Sequence, residues 1–142
     1  MKESKETLQQ YVGDMLAVDK HIHETVRRHR DDKQVQADAE THQLLSRVES
    51  TFDALIEELE QLLDRLGGSA SSPVKDAVAS TVGALGSMYD KLRTETVSKM
   101  LRDDYTTLGL AAISYTMLNT TGHALNDPAT AQIAARHLRQ IT

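Results

Sequence analysis

Residues 96–125 read TVSKMLRDDYTTLGLAAISYTMLNTTGHAL. The stretch is free of proline, and Leu101, Asp104, Leu108, Ala111, Tyr115, Leu118, Gly122 and Leu125 recur at helical spacing. All but Asp104 are apolar, aromatic or small, so the run predicts one long amphipathic helix facing a core. That face is where a catalytic four-helix bundle would carry its metal ligands. Here it carries almost none.

The neighbouring segments repeat the pattern. Over 4–30, Leu8, Val12, Met15, Asp19, Ile22 and Val26 form a second stripe, with Asp19 its one polar member. Arg27, Arg28, His29 and Arg30 suit a helix C-terminus, where cations complement the macrodipole. Asp31 and Asp32 make a polar break. A helix over 33–66 follows, with Leu45, Val48, Phe52, Leu55, Leu59, Leu62 and Leu66 as a heptad-like seam. Glu49, Glu57, Glu58 and Glu60 lie off that seam and read as a solvated face. Gly67 and Gly68 close this helix. A shorter helix is expected over 73–92, from Pro73 through Val74, Val78, Val82, Leu85, Met88 and Leu92. Thr96 is placed to cap the next helix. Asn126, Asp127 and Pro128 together signal another start, and 128–141 is the last helix, with Ile133, Ala134, Leu138 and Ile141 on its apolar face.

Composition agrees with an all-α protein of one domain over 1–142. Aromatic residues are 4% of the chain, there are two prolines, and alternating strand patterns are missing. The net charge of −5 at pH 7 argues against a nucleic-acid surface. There is no cysteine, which removes disulfides, thiolate zinc sites and cysteine nucleophiles. No apolar run is long enough for a membrane span, and the opening residues lack a signal core, so a cytoplasmic location is expected.

No glycine-rich phosphate loop, G-x-S-x-G elbow or H-E-x-x-H motif occurs. A carboxylate-bridged dimetal site needs a Glu from each of two helices and Glu-x-x-His from each of two others. No Glu-x-x-His exists in this chain. The nearest substitute is Asp19 with His23, four residues on. Asp104 is the only other carboxylate on a stripe. Asp19, His23 and Asp104 are therefore the candidate metal residues, with Glu49 or Asp53 as possible additions. Without a metal, Asp19 must find a partner such as Tyr115 on a facing helix, or reach solvent at a bundle edge. Asp104, early in its helix, is expected to be partly solvated.

In pattern and spacing the chain resembles the bacterial ferritin-like stress proteins of the YciE/YciF type. Ala17-Val18-Asp19-Lys20 is similar to that family's Asp-Ala-Glu-Lys signature, with Asp19 where the metal-binding Glu stands. Leu59-Glu60-Gln61 through Leu66-Gly67 is similar to the end of its second helix. Tyr115, Leu118, Leu125, Asp127, Thr130 and Ala131 are similar to its final segment and turn. The resemblance implies a ferritin-like antiparallel bundle of four main helices plus one extra crossover helix at 73–92. It also implies a degenerate metal site, since its ligand positions fall on Phe52, Leu55, Leu108 and Ala111, and near Gln140 and Ile141.

The expectation is a non-catalytic bundle without cofactor, an interaction or stress-related protein. A homodimer is expected, because the last helix is too short to shield the other three. Two alternatives stand beside it: an iron- or manganese-binding protein with shifted ligands, and a small-molecule sensor with a pocket near Gly122 and Ala111.

Overall fold

The computed structural model describes residues 2–69 and 96–142. Five helices follow in order: α1 (Lys2–Arg30), α2 (Lys33–Gln36), α3 (Ala39–Arg65), α4 (Val97–Ala124) and α5 (Pro128–Ile141). No strand occurs among the described residues. The helix expected over 73–92 lies outside them.

Local chemistry sets the boundaries. The Asp32, Asp38 and Asp127 side chains accept from the backbone N–H groups of Gln34, Thr41 and Thr130, capping α2, α3 and α5. The cap at Asp38 corrects the single helix expected over 33–66. It starts a new helix at Ala39 and leaves α2 as one separate turn, anchored by the buried Val35. Thr96 holds the N-cap position of α4, but its side chain makes no capping bond. At the end of α3, Gly67 takes φ +76°, the Gly68 N–H bonds Leu63 O at 3.0 Å, and the Gly67 N–H bonds Asp64 O at 2.8 Å. This is a Schellman closure, which requires a left-handed residue. Asn126, at φ 55°, does the same after α4. Asn tolerates that region better than most residues with a Cβ.

Side-chain pairs fix the directions. Lys20–Glu60 at 2.7 Å, His23–Asp53 at 2.7 Å and the Gln9–Leu66 bond lay α1 and α3 antiparallel. His29–Asp104 at 2.9 Å and the Tyr115–Asp19 bond lay α1 and α4 antiparallel. Asn119 Nδ2 donates to Ala131 O at 2.8 Å, so α4 and α5 also run antiparallel. It follows that α3 and α4 are parallel. The end of α3 lies beside the start of α1, whereas the start of α4 lies beside the end of α1. Two antiparallel hairpins thus stand side by side, with the chain entering the second at the end opposite to where it left the first.

The expected stripes meet in one core. Leu8, Val12, Met15, Ile22, Leu45, Phe52, Leu55, Leu59, Ala111, Tyr115, Leu118 and Ala134 are all buried. A large apolar side chain buried in this way contributes about 1.5–3 kcal/mol. α4 and α5 approach closely at Gly122, where a Cβ would sit 2.7 Å from the backbone nitrogen of Ala131. At Gly122 itself α5 lies against the helix backbone. No described helix is long and apolar enough to cross a membrane.

Candidate functional site

Each of the four long helices sends one polar side chain into a single hydrogen-bonded chain at mid-height. Asp19 comes from α1, Glu58 from α3, Tyr115 from α4 and His137 from α5. Asp19, Tyr115 and His137 are fully buried, while Glu58 sits at the edge between α3 and α5. The Tyr115 hydroxyl bonds Asp19 Oδ2, and His137 Nδ1 lies 3.1 Å from the same hydroxyl. His137 Nε2 meets Glu58 Oε2, and the Arg136 guanidinium donates to the other Glu58 oxygen. The Tyr115 and His137 rings pack edge to face, with centroids 5.2 Å apart at 82°.

The spacing of the stripes explains the convergence. Asp19 and Tyr115 occupy core positions of α1 and α4, so the antiparallel register brings them face to face. His137 follows Ala134 by three residues and lies on the buried side of α5. Glu58 neighbours the buried Leu55, Leu59 and Leu62 on α3, and its length carries the carboxylate to His137.

Donor and acceptor counting limits the protonation states. If Asp19 is ionised, the Tyr115 hydroxyl donates to it. His137 must then donate through Nδ1 to the tyrosine oxygen and through Nε2 to Glu58, so it must be an imidazolium. If Asp19 carries the proton and donates it to the tyrosine oxygen, the hydroxyl turns to Nδ1. A neutral His137 then donates Nε2–H to Glu58. The two arrangements hold the same number of protons and differ by one proton relayed through Tyr115. Burial decides between them. It pushes the Asp19 carboxyl up to about 7, against the opposing pull of the Tyr115 hydrogen bond. It also lowers His137, against the raising effect of Glu58. Both effects favour the neutral pair. Burial and the neighbouring Asp19 push the Tyr115 hydroxyl well above its ordinary value, so it bridges without ionising.

The three candidate metal residues end up in three separate contacts. Asp19 joins the chain just described, as its stripe position required. His23 is partly exposed and turns to α3, with Nε2 2.7 Å from Asp53 and 4.0 Å from Glu49. Glu49 is in turn held by Arg30. Asp104 is buried rather than partly solvated, because the end of α1 lies over it and supplies His29 Nδ1 at 2.9 Å. Among the described residues, no three His, Asp or Glu side chains are grouped to hold a metal ion. Glu58 belongs to the site and not to a purely solvated face. His137 was legible only from its spacing to Ala134 and Ile141. A shallow groove of about 170 Å³ also lies between α1 and α4, beside Tyr11, Asp14, Val18 and Met117.

No family model, no curated protein and no solved structure matches this chain.

Proposed function

We propose that this chain is a non-catalytic helical bundle of ferritin-like course that acts through contacts of its surface. Two antiparallel hairpins with parallel second and third helices require one long connection, and ferritin-like bundles have one such crossover. The observation that carries the functional half is the filling of the bundle centre. Phe52, Leu55 and Ala111 stand at positions where the family resemblance would put ligands, and all three are buried. Leu108 is half-buried against the same core. The polar groups that do reach the centre bond to one another, with Tyr115 interposed between Asp19 and His137, while Asp19 Oδ1 is left without a hydrogen-bond partner. This donor set does not fit a dimetal pair, because six ligands are needed and the apolar residues offer none.

Metal analysis of protein purified from iron-supplemented and manganese-supplemented cultures tests the reading. The expected result is well under one equivalent in both. Two equivalents of either metal, lost on mutation of Asp19 or Glu58, would overturn it.

A further inference from the structure

The outward side of α4 does not look like the surface of the rest of the protein. From Tyr105 to Asn126 there is no Asp, Glu, Lys or Arg, in a chain that is 26% charged. Thr106, Leu110, Ile113, Met117 and Thr120 repeat at four-three-four-three spacing, a second heptad stripe on the side away from the core. Its large members are open, with Leu110 47%, Ile113 63% and Met117 54% exposed. The hydroxyls along this side are already used. Thr106, Ser114, Thr116 and Thr120 each donate to the carbonyl four residues back, at 2.9 to 3.0 Å. A hydroxyl that donates to its own helix has no proton left to donate to water and is the less costly to bury. The face is thus apolar in effect over about 21 Å of helix, at 1.5 Å per residue.

From this we infer that α4 is the dimer interface, pairing antiparallel with α4 of a second copy about a two-fold axis at Ile113. The inference goes beyond the proposed function and does not depend on what the bundle centre holds. Self-association is favoured here on charge. Each copy carries −5, so approach elsewhere sets charged surfaces together, whereas the α4 stripe itself holds no ionised group and Asp14 of α1 stands only at its edge, in the groove beside Met117. The stripe is also self-complementary. With Ile113 on the axis, Leu110 meets Met117 of the second copy and Thr106 meets Thr120, so apolar bulk lies at the centre and small residues at the ends. On the flank, Gly109 has nothing within 4 Å of where a Cβ would stand, which leaves room for Thr116 of the second copy. A parallel pairing would set Arg102 against its own copy at the edge of the face. The antiparallel one opposes the helix dipoles instead. Two faces of this length reach the lower end of specific interfaces, roughly 600 Å² per partner.

The chain has no native cysteine, so single cysteines report the register directly. Light scattering of the full chain at roughly 100 μM, a concentration suited to a small interface, is expected to give twice the chain mass. Ile113→Glu is expected to weaken association at least tenfold while helix content holds, and to match the wild-type Tm only in dilute protein where both are monomers, since Ile113 is exposed in the single chain. Under mild oxidation Ile113→Cys is expected to form a disulfide-linked dimer, and Thr106→Cys is not. A monomer in light scattering, with the face covered by the chain's own residues 70–95 or left to another protein, would overturn the inference. So would a dimer unaffected by Ile113→Glu, or cross-linking of Thr106→Cys in place of Ile113→Cys.

Discussion

Asp19 and Asp104 are both carboxylates buried between α1 and α4, yet they are stabilised in different ways. Asp104 meets an imidazole, His29 Nδ1, at 2.9 Å, and both side chains are almost wholly enclosed. Asp19 meets a phenol whose own second contact is another histidine. A base beside a carboxylate can form a hydrogen-bonded ion pair. A phenol beside it offers a bond but no charge. Burial therefore drives Asp19 towards its neutral form, up to about 7, and hands the proton question on to His137. One helix pair thus carries a two-residue contact near the end of α1 and a four-helix relay at its middle.

The largest effect expected separates the two directly. Asp104→Ala leaves the His29 imidazole enclosed without that carboxylate. Removing one partner of a buried hydrogen bond costs about 1–3 kcal/mol, and more where a charged group takes part. Urea denaturation should show a loss of that order, and a loss under about 1 kcal/mol would mean that water reaches His29.

The second effect turns on pH. The Asp19 carboxyl is raised in the fold from 3.8 to about 7, so the folded chain holds this proton more tightly than the unfolded chain does. The stability it contributes is complete below about pH 4, and it is lost as pH rises to about 7. Asp19→Asn keeps a neutral group that donates to the Tyr115 oxygen and has no proton to lose. A tenfold difference in proton affinity is worth about 1.4 kcal/mol, so the variant should gain on the wild type by roughly 2–3 kcal/mol between pH 5 and pH 8. Denaturation at the two pH values measures this. Parallel curves for the two proteins would place Asp19 in the ionised arrangement throughout.

How much of this could be read from the sequence divides along the same line. The stripes were legible, because a helix that buries one side repeats its apolar residues every three or four positions. Phe52, Leu55, Ala111 and Tyr115 were placed in the core that way, and Tyr115 stood as one partner open to Asp19, beside another polar group or solvent at a bundle edge. The break at Asp38 was hidden, because a cap in the middle of a polar run leaves the apolar spacing on either side unchanged. The burial of Asp104 was hidden for another reason. It depends on how far α1 extends over α4, and relative register between helices is not written in either one. Glu58 stood among Glu57 and Glu60 with nothing to mark it. Only the arrival of α5 beside α3 gives it His137 and Arg136.

That late arrival predicts the smallest effect. Glu58 is the open end of the relay, with its side chain 35% exposed, and Arg136 beside it is 45% exposed. An ion pair so placed is screened, and exposed pairs are worth about 0–1 kcal/mol. Glu58→Gln removes the charge but keeps an oxygen that accepts His137 Nε2–H. The loss in urea denaturation should therefore stay below about 1 kcal/mol and shrink further in 1 M salt, where the Debye length is about 3 Å. The result sharpens the contrast with Asp104, where both partners are enclosed. A loss near that of Asp104→Ala, insensitive to salt, would mean that His137 is an imidazolium held by the Glu58 charge. The relay would then rest in its ionised arrangement, and Asp19, in place of His137, would be the acceptor for the Tyr115 hydroxyl.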